Sequence, residues 1–175
     1  MCCHSRSKTR PTRVLIVGSS NSGKTTLIER LIPMLRRRGL RVGTVKHAHQ
    51  GFEMDHPGKD SWRHARAGAD AVAIVSPTRA AWLVQTAGEL TTQGLIERMR
   101  ADIDLVLVEG FKRSQGSKIL LGSSGNSRVD IDEGSCRIGV LPDQLTADEL
   151  EHVAQFCVRH AWPSATDRGS RCPLR

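Results

Sequence analysis

VLIVGSSNSGKTTLIERLIPML, residues 14–35, decides how this chain folds. Val14 to Val17 form an apolar run that stops at Gly18, and beyond the glycine-rich turn Leu27, Ile28, Leu31, Ile32 and Leu35 recur at helical spacing. The order is strand, loop, helix. The loop residues Gly18, Ser19, Ser20, Asn21, Ser22, Gly23, Lys24 and Thr25 satisfy G-x-x-x-x-G-K-[ST], with Thr26 following in the first helical turn. Backbone N–H groups at the start of such a helix point at phosphate oxygens, and glycine lets the backbone come close. Lys24 is expected against the β and γ phosphates, and Thr25 is expected to offer its hydroxyl to Mg²⁺. A purine nucleoside triphosphate with Mg²⁺ is the predicted ligand.

Working outward, the helix should end between Arg36 and Gly39, where cationic side chains meet the negative end of the helix dipole and glycine supplies a left-handed cap. Pro33 should kink it. A second strand is predicted over 40–45, then a polar stretch from His47 to Lys59 too long for a mere connection. A short helix over 60–67 follows. The segments 71–75 and 80–85 flank Ser76, Pro77, Thr78 and Arg79, which reads as a hairpin and suggests a mixed sheet.

A further helix is expected over 90–99. Leu105 to Val108 is a continuous apolar run, as in a strand buried on both faces, and its end presents Glu109. Strands are expected at 118–121 and 137–141, and Thr146 with Glu149 forms a capping box for a last helix to about His160. Strands alternating with helices give an α/β fold: a P-loop NTPase three-layer sandwich with a mostly parallel, mixed sheet and helices on both faces. The expected organisation is a basic disordered tail over 1–13, one nucleotide-binding domain over 14–160 and an irregular tail over 161–175.

Composition restricts the partners. The chain has 175 residues and a formal net charge of +8. That charge sits in separate clusters with few aromatics between them, which argues against nucleic acid. No uncharged apolar run approaches the length that spans a bilayer, so no membrane association is expected. The five cysteines are odd in number and scattered, which fits a reducing cytoplasm better than a disulfide framework. Cys2, Cys3 and His4 lack a second ligand pair and make a poor metal site.

Glu109, at the carboxyl end of its strand, is the expected acid of the site: a Mg²⁺ ligand through water, or a group that orients a nucleophile. Asp55 is the first choice for a second carboxylate near Mg²⁺, and Lys59 is a candidate phosphate contact. Asp60 either joins the site or caps the following helix. Asp104 should lie at the far end of the Glu109 strand in a structural role. Base selectivity is not readable, because the NKxD-type sequence that reads guanine in many GTPases is absent. Leu141, Pro142 and Asp143 follow the last strand on the side where a base would lie.

Three stretches together resemble one family: GSSNSGKTTL at 18–27, VKHAHQGFEMDHPGKDSWRHARAGA at 45–69 and DLVLVEGFK at 104–112. They are similar to MobB, the molybdopterin-guanine dinucleotide biosynthesis adapter family. The resemblance implies a homodimer that binds GTP with Mg²⁺, hydrolyses it slowly if at all, and assists the molybdopterin guanylyltransferase MobA. It leaves open whether the molybdopterin cofactor also touches the chain. Gly18, Gly23, Lys24 and Thr25 match its phosphate and metal positions, Asp55 and Glu109 its acidic positions, and Lys59, Asp60 and Ser61 its GKDS segment. His47 and Lys112 match without an assigned role. The chain departs from the family at Gln50, at Arg113 and across Ser114 to Gly134. Two other readings of the residues stand beside this one: a small-molecule kinase in which Asp55 activates an acceptor, and a metallochaperone GTPase using His47, His49 and His56.

Overall fold

A computed structural model describes residues 12–48, 51–86, 88, 90–99, 103–122 and 128–161. The chain divides into two compact units, Met1–His47 with Thr92–Arg175, and Ala48–Thr91.

The first unit is built on a six-stranded sheet. It contains β1 (Thr12–Val17), α1 (Lys24–Arg37), β2 (Val42–Lys46), α3 (Thr92–Glu97), β5 (Leu105–Glu109), β6 (Lys118–Leu121), β7 (Val129–Ile131), β8 (Ser135–Ile138) and α4 (Ala147–Ala161). The strand order is β2-β5-β1-β6-β8-β7, parallel throughout except for β7 against β8. Alternation along the strands splits the core in two, as strand geometry requires. Val14, Ile16, Leu105 and Leu107 join Leu27, Leu31 and Leu35 of α1 and Val153, Phe156 and Cys157 of α4 in one cluster. Leu15, Val106 and Val108 meet Ile96 of α3 in the other. Helices therefore cover both faces, and the carboxyl ends of β1, β2 and β5 share one edge of the sheet.

The second unit holds α2 (Asp60–Arg66), β3 (Ala71–Val75) and β4 (Ala80–Val84). The two strands pair antiparallel as a sheet of their own, with Ser76 N–H donating to Arg79 O across the turn at 2.7 Å.

Several expectations need correction. The hairpin does not join the main sheet; β7, antiparallel to β8, is what makes that sheet mixed. The second strand begins at Val42, because Leu40 is used to close α1: Gly39 N–H bonds Arg36 O at 2.9 Å and Leu40 N–H bonds Leu35 O at 3.2 Å. The last strand spans Ser135–Ile138, and Leu141 instead precedes a 3₁₀ turn at Pro142–Gln144. The helix expected over 90–99 is confined to Thr92–Glu97. Lys59, not Asp60, is the N-cap residue of α2; Asp60 lies in its first turn, 3.9 Å from Arg63. β1 opens at Thr12, inside the stretch expected to be a tail. Cys2, Cys3, His4, His49, Gln50 and the 161–175 tail beyond Ala161 lie outside the described residues.

Candidate functional site

α1 opens without a side-chain cap. Its N-cap residue is Gly23, at φ 83°, no side chain bonds the first N–H groups, and no acidic residue sits in the first turn. A helix start of this kind keeps donors and positive dipole for an anion. The glycines of the loop are required by contact. A Cβ on Gly18 would strike Ser22 Oγ, and a Cβ on Gly23 would lie 2.5 Å from Pro142 Cδ. Asn21 also takes a left-handed φ of 59°, which tightens the turn. Ser22 Oγ is buried and has no hydrogen-bond partner, so the loop presents a hydroxyl as well as amides. The Lys24 ammonium folds back over this loop, donating to the carbonyls of Gly18 at 3.4 Å and of Ser19.

The end of β5 supplies the acid. Thr25 Oγ1 approaches Glu109 Oε2 at 3.3 Å and Oε1 at 3.5 Å. Lys46, the last residue of β2, places Nζ 3.7 Å from Glu109 Oε1. The strand end is fixed on both sides by backbone bonds: His47 N–H to Glu109 O at 2.9 Å, and Gly110 N–H to Ile16 O at 3.1 Å. Gly110 (φ 99°) and Phe111 (φ 50°) then turn the chain sharply away. A Cβ on Gly110 would come within 3.0 Å of His47 Cβ, and the His47 ring stacks on Phe111 at 4.3 Å between centroids. His47 is thus a wall residue beside the acid.

A hydroxyl next to a carboxylate, at the foot of a loop lined with amides and one lysine, fits Mg²⁺ held between protein oxygens and nucleotide phosphates. Thr25 and Glu109 are the residues that would hold the metal. Gly18 to Thr26 would hold the phosphates. Among the described residues, no three His, Cys, Asp or Glu side chains gather as metal ligands.

The other predicted residues make local contacts. Asp55 and Lys59 belong to the second unit, where Asp55 Oδ1 accepts the N–H of His56 at 2.9 Å and Lys59 N–H bonds His56 O at 3.2 Å. Lys112 offers its carbonyl to Lys118 Nζ at 3.2 Å. Asp104 takes the structural role expected of it, accepting from Arg41 N–H at 2.8 Å where β2 and β5 begin. The turn at Pro142 packs on α1, held by Arg30 bonds to Pro142 O and, at 3.1 Å, to Leu145 O.

Missed in the sequence were Lys46, which reads there as one polar residue among many, and Pro142 as the contact of Gly23. Strand pairing brings Lys46 to Glu109, and only the register Lys46↔Glu109 reveals it. Cys136 and Cys157 are buried, unpaired thiols that burial pushes up to about 12, which makes them core residues without nucleophilic character at neutral pH.

Known proteins resemble this chain in sequence and fold. The molybdopterin-guanine dinucleotide biosynthesis adapter protein of Haemophilus influenzae is 45% identical over 107 residues, 61% of this chain and 60% of that one. That of Escherichia coli is 44% identical over 109 residues, 61% and 62% of the two chains. The chain thus spans about 60% of the length of these curated relatives. A crystal structure of molybdopterin-guanine biosynthesis protein B superposes with a TM-score of 0.60 at 28% identity, covering 85% of this chain and 98% of that one. The crystal structure of Bacillus subtilis MobB does so with a TM-score of 0.53 at 33% identity, covering 63% and 67%. The model of MobB, molybdopterin guanine dinucleotide synthesis protein B, matches residues 13–135, and the chain belongs to that family.

Proposed function

We propose that this protein binds GTP with Mg²⁺ and acts as an adapter for the molybdopterin guanylyltransferase MobA, which joins GMP to molybdopterin. The observation that carries the reading is the uncapped start of α1 above the pair Thr25 and Glu109, 3.3 Å apart. Lys24 releases the loop carbonyls and pairs with the β and γ phosphates, while the loop amides and Ser22 Oγ take the remaining oxygens. Bound Mg²⁺ supplies charge neutralisation on those phosphates. Thr25 and Glu109 would hold it, or Glu109 would orient a water for slow hydrolysis. Asp55 is proposed as a second acid of the site and Lys59 as a second phosphate contact. Guanine selectivity rests on the family relationship, with the turn at Leu141, Pro142 and Asp143 as its structural candidate. No helix among the described residues is long and apolar enough to cross a membrane, and the proposed compartment is the cytoplasm.

A homodimer is part of the proposal. One face of the hairpin carries Ala71, Ala73 and Val75 beside Val84, Trp82 and Ala80, six apolar residues that are all exposed. An uncharged patch of this kind suits a copy of itself across a two-fold axis.

The test is calorimetric titration with GTP and ATP analogues in Mg²⁺, repeated with the guanylyltransferase present. GTP-selective binding that couples to the partner is expected. Preference for ATP without coupling would replace the adapter with a small-molecule kinase.

A further inference from the structure

Two groups address one carboxylate. Thr25 reaches Glu109 from the first turn of α1, the helix that follows β1, and Lys46 reaches it from the end of β2; β1 and β2 flank β5 on either side. The Glu109 side chain is only 12% exposed, whereas that of Lys46 is 66% exposed. A carboxylate this far from water needs opposite charge or several good hydrogen bonds, and the Thr25 contacts at 3.3 and 3.5 Å are long. Lys46 supplies the charge. A divalent cation on Thr25 and Glu109 would meet that same demand, and two cations beside one carboxylate repel each other. An exposed lysine can move into water with little loss. Nucleotide phosphates offer it a new anionic partner.

We infer that Lys46 is the resident counter-ion of Glu109: it holds the carboxylate in the nucleotide-free protein, discourages uptake of free divalent cation, and leaves Glu109 when metal arrives with nucleotide. The inference rests on the reading of Thr25 and Glu109 as the metal pair. Its consequence is ordered binding, in which metal enters with the phosphates and seldom alone. Lys46 acts on metal affinity through Glu109 and is a positioning residue.

Titration of the nucleotide-free protein with Mn²⁺, followed by electron paramagnetic resonance, tests this. Lys46→Met should bind Mn²⁺ severalfold to about tenfold more tightly than the wild type. Lys46→Arg, which keeps the charge, should behave as wild type. Arg37→Met, which removes one charge from the far end of α1, should change nothing. The gain in Lys46→Met should vanish when Glu109→Gln is added. Unchanged or weaker Mn²⁺ binding in Lys46→Met overturns the inference, as does an equal gain in Arg37→Met. A separate arm measures Mn²⁺ with a GTP analogue: if Glu109→Gln has no effect there, the metal pair itself is wrong, whereas a loss there beside an unresponsive Lys46→Met removes only the role of Lys46.

Discussion

The sheet unit and the 48–91 unit use apolar residues in opposite ways. In the sheet unit Val14, Leu15, Ile16 and Leu105 to Val108 are fully buried, enclosed by helices of the same unit. In the other unit α2 buries no residue, and Val75, Trp82 and Val84 are 72%, 68% and 61% exposed. An isolated two-stranded sheet is marginal in water, and exposed apolar patches mark surfaces that bind something. The closed core stands behind the proposed phosphate site, and the exposed apolar residues lie on the unit proposed to associate.

Substitutions can break or sharpen that contrast. Leu107→Ala, in the closed core, should cost about 2–5 kcal/mol of unfolding free energy in a denaturant titration. Lys24→Ala should remove roughly 1.5–3 kcal/mol of nucleotide affinity, tenfold or more by calorimetry, without loss of fold. Thr146→Ala removes half of a capping box in which Thr146 N–H bonds Glu149 Oε2 at 2.8 Å and Glu149 N–H bonds Thr146 Oγ1 at 3.2 Å, and should cost about 1 kcal/mol. The smallest stability effect belongs to the hairpin: Trp82→Ser should stay within about 0.5 kcal/mol for the monomer yet shift sedimentation toward monomer. A large loss of monomer stability there would mean that the hairpin face serves folding rather than association.

Acid unfolding offers a further check. Glu149 is held down from its ordinary 4.5 to about 2, first by its hydrogen bond from Arg128 and next by the Thr146 N–H. A folded value below the unfolded one gives stability that is present above pH 4.5 and is lost as pH falls toward 2. Glu149→Gln should flatten the fall in stability over that window, measured against wild type in parallel denaturant titrations.

What was legible in the sequence was local. The loop motif, the helical period of Leu27 to Leu35, the buried run before Glu109 and the Thr146/Glu149 box each depend on neighbours in the chain, and each forms as read. Strand ends were less legible, because Leu40 suits a strand as well as it suits the closing turn of α1, and long-range packing decides between them. Two apolar segments around the turn residues Ser76 to Arg79 announced the hairpin but not which sheet it would join. The candidate site was half visible: the approach of Thr25 to Glu109 follows from motif and strand end, whereas Lys46 beside Glu109 and Pro142 beside Gly23 depend on strand order and the docking of a turn. Asp55 and Lys59 remain proposals for the nucleotide site, best separated by measuring GTP affinity of Asp55→Asn with and without Mg²⁺; a metal role predicts a deficit confined to the Mg²⁺ arm.

Nucleotide binding at the start of α1 is the claim on which the rest depends. Calorimetric titration of the wild type and of Lys24→Ala with a GTP analogue in Mg²⁺ tests it most directly. The account predicts saturable binding by the wild type, weakened tenfold or more in the variant. Equal affinities in the two proteins, or no binding by a folded wild type, would contradict it.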